Sequence, residues 1–167
     1  MPRYERDYRP ISLALTSIAG DRAVRMRHAA DVLWRHLRDE GVSWAGFYLI
    51  SENDAGESEM VLGPSRDKPA CTPIGMHGAC GQSFLKKRSL VIADIHTLGA
   101  GYVACDPRDL AELVIPMFGE GSKPWGVLDL DSFDRDAFGE HDARELKRIM
   151  EVAGISWPSP YLEPLYL

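Results

Sequence analysis

The chain has 167 residues, about one domain's worth of sequence, and its 45% hydrophobic and 26% charged residues are close to the globular average. This composition argues against a disordered protein. The net charge is −6, but residues 1–38 sum to +4 (eight basic, four acidic) and the remainder to −10. An acidic body argues against nucleic-acid binding as the main task, and the basic first segment favours a solvated helix face over a nucleic-acid arm.

The apolar runs are too short for a membrane helix. The run over residues 112–118 is strand-sized, whereas a spanning helix needs roughly 20 residues. The first residues contain no hydrophobic signal region, so we expect a cytoplasmic protein. Its three cysteines, Cys71, Cys80 and Cys105, should be reduced there. An odd number of thiols leaves three possibilities: inert core cysteines, a metal site, or redox chemistry.

The first part of the chain is predicted to be helical over residues 10–39. Its apolar residues recur at three- and four-residue steps, as in Met26, Ala30, Leu33 and Leu37. Asp21 is a candidate N-cap, and Gly41 stands where a helix ends. A shorter helix over Ile11–Ile18 precedes the break at Gly20.

Strands dominate the middle of the chain. They are predicted at residues 44–50, 60–62, 90–93, 112–118 and 125–130, the first two forming a hairpin. Residues 63–78 and 98–110 are expected to be loops, and residues 79–88 a short helix. A last helix is predicted over residues 144–152, followed by a proline-rich tail at residues 157–167 that suits neither a helix nor a central strand. Because the long helices lie only at the ends, the pattern indicates one α+β domain over residues 1–167, with a helical segment at residues 1–40.

The cysteines are candidates for chemistry. Cys71 and Cys105 fall in predicted loops, where functional side chains concentrate. Cys80 falls at the start of the short helix, where free amides and the helix dipole favour a thiolate. The alternative is three small buried apolar residues, which two loop positions count against. A zinc site with His77 and His96 is a weaker alternative, because no Cys-x-x-Cys pair is present.

Three acidic residues form a second candidate cluster. Asp129 and Asp131 point to the same face of a predicted strand, and Glu112 opens the strand before it. They form either a solvent-facing strand surface or a functional cluster. A functional cluster would bind an ammonium group, or would raise one carboxyl pKa until that group donates a proton.

Two aromatic residues form a third candidate feature. Trp44 and Tyr48 are four residues apart on a strand and therefore share a face, with Gly46 between them. They are either ordinary aromatic core or the wall of a small apolar pocket floored by the glycine.

Several short segments, taken together, resemble one known family. They occur in order as Ser43–Leu49, Leu62–Pro64, Lys68–Thr72, Gly78–Gly81, Asp94–His96, Val103–Asp106, Ala111–Pro116 and Gly126–Ser132. The chain resembles the free methionine-(R)-sulfoxide reductases, a branch of the GAF fold, over roughly residues 28–150. The resemblance implies a GAF-like α+β fold with a mostly antiparallel central β-sheet flanked by helices. It also implies a homodimer that reduces free methionine (R)-sulfoxide, with thioredoxin as the reductant and no cofactor or metal.

The resemblance also implies a role for each candidate residue. Cys105 would be the nucleophile, Cys71 the main resolving thiol and Cys80 an accessory thiol. The sulfoxide- and amine-binding carboxylates would be Glu112, Asp129 and Asp131, and the methyl pocket would be formed by Trp44 and Tyr48. The chain departs from the family pattern around the substrate loop: Ser65 follows Pro64, the loop between Cys71 and Cys80 is one residue shorter, and Tyr102 replaces a common histidine.

The chemistry agrees with these roles. Thiolate attack on a sulfoxide needs a carboxyl group that protonates the departing oxygen, and it leaves a cysteine sulfenic acid. A second cysteine then condenses with the sulfenic acid, and a dithiol donor reopens the disulfide. The main alternative is a GAF small-ligand sensor that has the pocket but no catalysis. Three thiols and three acids in register favour the enzyme.

Overall fold

The computed structural model describes residues 2–99, 102 and 104–167. Val103, which belongs to one of the resembling segments, lies outside them. Within the described residues, four α-helices and six strands follow one another as α1 (Arg9–Leu15), α2 (Arg22–Leu37), β1 (Trp44–Glu52), β2 (Ser58–Arg66), α3 (Ala79–Lys86), β3 (Leu90–Ile92), β4 (Ala111–Phe118), β5 (Pro124–Ser132), α4 (Glu140–Val152) and β6 (Leu165–Tyr166).

The two N-terminal helices follow their sequence signals. The side chain of Asp21 accepts a hydrogen bond of 2.9 Å from the backbone N–H of Val24, which confirms the predicted N-cap of α2. After α2 a short 3-10 turn ends at Gly41, whose φ of +84° lies in the left-handed region that glycine adopts without strain. Helix α1 ends at Leu15, earlier than predicted.

The strands form one sheet in the order β2-β1-β5-β4-β3-β6 over the described residues. All neighbours are antiparallel except β3 and β6, so the predicted α+β, mostly antiparallel class is confirmed. The predicted hairpin is confirmed too, with Tyr48 opposite Leu62. Strand β2 is longer than predicted and continues past Gly63 to Arg66, because it pairs with β1 along its length.

The two faces of the sheet bury different partners. Alternate strand residues such as Phe47, Leu113 and Leu128 join the inward faces of α1, α2 and α4 in the main core. The opposite face carries a second, smaller cluster, in which Tyr48 and Val127 pack with residues at the start of α3. This second face is covered by loops as well as by α3, and the loops leave room for a cavity.

The last strand, β6, was not predicted. Its backbone hydrogen-bonds to β3, with Leu165 N–H donating to Ser89 O at 2.8 Å and Leu167 N–H to Val91 O at 3.0 Å. It lies at the sheet edge and not in the centre, in agreement with the prediction for the proline-rich tail. No helix in the described part of the chain combines the length and apolar character needed to cross a membrane.

Candidate active site

The register of three central strands brings the predicted acids together. Glu112 of β4 lies directly opposite Asp131 of β5, and Asp131 lies opposite Trp44 of β1 on its other side. Asp129 occupies the next row, opposite Gly46. Because alternate residues share a face, all three carboxyl groups point to the face that carries α3.

These carboxyl groups are not a solvent-facing strand surface. Glu112 and Asp129 are each only 5% exposed, and Asp131 is partly buried. Burial raises the pKa of all three groups, and for Asp129 and Asp131 repulsion from neighbouring carboxylates raises the pKa further. Such a cluster holds protons at a pH where ordinary carboxyl groups have lost them.

Cys80 faces the same acids from the first turn of α3. Its sulfur and the carboxylate oxygens of Glu112 and Asp129 lie within 4.8 Å of one another. Burial raises the pKa of the Cys80 thiol well above its ordinary value, and the nearby carboxylates raise it further. The expectation that the helix start favours a thiolate at Cys80 is therefore wrong, because desolvation and negative charge outweigh the dipole.

The other two cysteines form a disulfide. Cys71 and Cys105 are 34 residues apart in sequence, and their Cα atoms are 5.6 Å apart, within the usual range for a disulfide. Both residues are exposed and lie in irregular segments, as predicted. The expectation of three reduced thiols does not hold in this state, because the fold brings the two loops into contact. These two are not inert core cysteines.

A cavity of about 280 Å³ joins these groups. All eight predicted site residues line it: Cys71, Cys80, Cys105, Glu112, Trp44, Tyr48, Asp129 and Asp131. Their roles stay predictions, but their convergence on one cavity is a property of the fold. The volume suits a small molecule such as one amino acid.

Two aromatic rings form one wall of the cavity. The indole N–H of Trp44 donates to Lys68 O, and the hydroxyl of Tyr48 donates to Cys71 O, both at 2.8 Å. These bonds tie the rings to the loop that carries Cys71. Gly46 makes room for them, since a Cβ atom there would lie 2.5 Å from the Trp44 ring and 2.6 Å from Ser65 Cβ. Substitution of Gly46 would displace the wall.

Sequence reasoning assigned no role to two cavity residues with functional side chains. Tyr102 donates its hydroxyl proton to Glu112 and lines the cavity, so the departure from a histidine still places a donor beside this acid. Asp109 is buried, lines the same cavity and accepts a hydrogen bond of 3.2 Å from Ser43. Asp109 lies between two predicted catalytic residues in sequence, Cys105 and Glu112, and this position could have pointed to it as a site residue.

The two histidines of the alternative zinc site lie in different surroundings. His77 lines the cavity, whereas His96 is exposed and lies 3.3 Å from Asp94.

Asp109 gives a prediction for stability against pH. Burial, with a smaller contribution from Asp106, raises the pKa of Asp109 to about 6. The Asp109 carboxyl group therefore binds its proton more tightly in the folded state than in the unfolded state. As the pH rises from about 4 to about 6, this group loses its proton and the free energy of unfolding falls. Asp109→Asn should remove that loss and stabilise the protein at pH 7 by about 1 kcal/mol, or roughly 2–4 °C in Tm.

Thermal melts between pH 4 and 8 measure this effect. The matched control is Asp106→Asn, because Arg108 and Lys68 lower the pKa of Asp106 and its loss should destabilise the protein at neutral pH. Equal Tm values for wild type and Asp109→Asn at pH 7 would contradict the assignment.

Comparison with known proteins decides the family. The model of the GAF domain family matches residues 14–157. The chain belongs to the GAF domain family. It is 34% identical over 141 residues to Protein ZMO0507 of Zymomonas mobilis, covering 84% of this chain and 83% of the relative.

Two further similar proteins are named as free methionine-R-sulfoxide reductases. The chain is 28% identical to the free methionine-R-sulfoxide reductase of Saccharomyces cerevisiae over 130 residues, which are 76% of this chain and 71% of the yeast protein. The structure of fRMsr of Staphylococcus aureus in its reduced form superposes with a TM-score of 0.78 at 28% identity, covering 92% of this chain and 97% of that one. The predicted resemblance to this branch of the GAF family is confirmed.

Proposed function

We propose that this chain is an oxidoreductase that reduces free methionine (R)-sulfoxide to methionine. The observation that carries the proposal is the disulfide between Cys71 and Cys105, which is exposed yet lines the cavity that holds Glu112, Asp129 and Asp131. A redox-active cysteine pair and buried proton-holding acids are the two groups that sulfoxide reduction needs. The names of the yeast and staphylococcal relatives support the same activity.

In the proposed first step, the Cys105 thiolate attacks the sulfur of the bound sulfoxide. This attack forms a bond between the two sulfur atoms while the acid cluster protonates the sulfoxide oxygen. The oxygen then moves to the Cys105 sulfur, and both the substrate sulfur–oxygen bond and the new sulfur–sulfur bond break. The substrate sulfur is reduced by two electrons and leaves as the thioether of methionine, while Cys105 becomes a sulfenic acid. Glu112 is the proposed proton donor, because it is buried, has a raised pKa and lies directly opposite Asp131 on the neighbouring strand.

In the proposed second step, the Cys71 thiol condenses with this sulfenic acid. A sulfur–sulfur bond forms and the oxygen leaves as water, which gives the disulfide seen in this structure. The thioredoxin dithiol then attacks the disulfide and is itself oxidised, which restores both thiols. Both cysteines are exposed, so a protein reductant has access to them without unfolding the domain.

The cavity offers a separate contact for each part of the substrate. The methyl group would lie against Trp44 and Tyr48, and the ammonium group near Asp129 and Asp131. The carboxylate would lie at the start of α3, where Gly78 supplies no side-chain cap and the backbone amides and dipole attract an anion. With the substrate bound in this way, Cys105 would face the sulfoxide group.

These contacts predict a preference for the free amino acid. A peptide bond on either side removes one charge of the substrate and adds bulk in a cavity of about 280 Å³. We expect methionine (R)-sulfoxide within a peptide to react at least about 10²-fold more slowly in kcat/KM than the free form. Similar kcat/KM values for free and peptide-bound sulfoxide would contradict the proposed substrate contacts.

The test of the function is NADPH consumption coupled through thioredoxin and thioredoxin reductase. Consumption with the free R epimer and none with the S epimer supports the proposal. Tight binding of the sulfoxide without turnover would instead favour a non-catalytic GAF sensor. In keeping with the family resemblance, we expect a homodimer that acts in the cytoplasm, which light scattering and cell fractionation will test.

A further inference from the structure

Cys80, Glu112 and Asp129 combine ligand types that divalent metals bind. They come from α3, β4 and β5, and each is more than nine-tenths buried. One sulfur and two carboxylate oxygens lie within 4.8 Å of one another. Zn²⁺ binds sulfur at about 2.3 Å and carboxylate oxygen at about 2.0–2.2 Å, so a small contraction of the trio would enclose one ion.

One oxygen in this cluster has no hydrogen-bond partner. Within the described part of the chain, the buried Oδ1 atom of Asp129 receives no hydrogen bond, and no Lys, Arg or His pairs with Glu112, Asp129 or Asp131. Cys80 and Glu112 hydrogen-bond with the Asp129 carboxyl group, but they leave this second oxygen unsatisfied, and a buried carboxylate oxygen without a donor is costly. A cation bound by Asp129 would supply the missing partner and offset the repulsion between the acids.

The mixture of ligands selects the kind of ion. Thiolate favours softer ions such as Zn²⁺, whereas Mg²⁺ and Ca²⁺ prefer sites made of oxygen alone. A bound ion of this kind also stabilises the deprotonated thiolate of Cys80. Three protein ligands leave a fourth position of a tetrahedral ion open, and it would face the cavity that these residues line.

We propose that Cys80, Glu112 and Asp129 bind a thiophilic divalent metal ion, with Zn²⁺ as the probe, and that the bound ion blocks the substrate cavity. The inhibitory part rests on the proposed reductase function, because it assumes that the sulfoxide and ammonium groups occupy the same carboxylates. The ion is a regulator of the site and takes no part in the reaction. This differs from the zinc alternative in the sequence, which relied on His77 and His96.

Metal binding at this site is best measured on the oxidised protein. Cys71 and Cys105 are joined in the disulfide, and Cys80 remains a thiol. Metal binding through sulfur in this state therefore reports Cys80 alone and not chelation by the redox pair. We expect the oxidised protein to bind one equivalent of Zn²⁺ in competition with a chromophoric chelator. Co²⁺ in its place should give a sulfur-to-metal charge-transfer band.

The variants separate this site from surface binding. Cys80→Ser should abolish the charge-transfer band, and both Cys80→Ser and Asp129→Asn should weaken Zn²⁺ at least about tenfold. His96→Gln is the matched control, because this exposed residue is a metal ligand type outside the cavity, and it should leave affinity unchanged. Circular dichroism checks that each variant is folded. If Cys80→Ser does not fold, the Zn²⁺ affinity of Asp129→Asn tests the proposal instead. Equal affinity in a folded Cys80→Ser or Asp129→Asn variant would overturn the proposal.

The activity measurement is kept separate from the binding measurement. In single-turnover reduction of free methionine (R)-sulfoxide by pre-reduced Cys71→Ser protein, in which the redox pair cannot chelate the ion, Zn²⁺ should raise the substrate concentration needed for half-maximal rate by at least about tenfold, and a chelator should reverse the effect. Metal binding without any reductase activity would contradict the proposed function alone. Reductase activity without stoichiometric metal binding would contradict this inference alone, and stoichiometric binding without inhibition would overturn its regulatory part.

Discussion

Cys105→Ser should abolish even a single turnover of free methionine (R)-sulfoxide. Serine in place of Cys105 leaves no thiolate to take the oxygen, and the nearby Cys80 does not replace it, because burial and carboxylates raise the pKa of that thiol. The measurement is methionine released per site after mixing pre-reduced protein with substrate and no recycling system. Wild type should release at least one methionine per site, and the variant none above background.

Cys71→Ser is the matched variant, because Cys71 is the other half of the same exposed disulfide. It should release about one methionine per site, as the nucleophile remains, but it should recycle poorly with thioredoxin because no resolving thiol is left at this position. The roles would be reversed if Cys71→Ser lost the first turnover while Cys105→Ser kept normal multiple turnover.

Glu112→Gln should lower kcat by about 10² or more. Glutamine keeps the shape of the side chain and a hydrogen-bonding oxygen for Tyr102, but it has no acidic proton to deliver to the departing oxygen. Glutamine is neutral and cannot ionise beside the other buried acids, so it adds no repulsion to the cluster, and the Tm should stay unchanged or rise. Glu52→Gln, at the exposed end of β1, is a control for the chemical change outside the cavity and should match wild type.

The two aspartates should respond differently from Glu112. Asp129→Asn and Asp131→Asn each remove negative charge that faces the proposed ammonium group, so we expect a higher KM, a lower kcat or both. Steady-state kinetics and thermal melting of all three acid variants decide between function and structure. Unchanged kinetics with Tm values far below wild type would show that the carboxyl groups serve the fold alone.

The local pattern of the sequence determined much of the fold. Apolar spacing and the Asp21 cap located α2, and alternation located the strands and put Asp129 and Asp131 on one face. These features depend on residues a few positions apart, so the chain reveals them without knowledge of its neighbours. The resemblance then brought the three cysteines and three acids into one family pattern, and the GAF family match confirms its fold.

Tertiary structure alone decided which groups touch. Strand register placed Glu112 opposite Asp131, and the packing of α3 brought Cys80 to Glu112 and Asp129, which reversed the expectation of an easily ionised thiol. Burial of Asp109 raised its pKa, and β6 formed only because β3 offered an open edge. Desolvation and pairing across the sheet depend on residues distant in sequence, and no local pattern carries them.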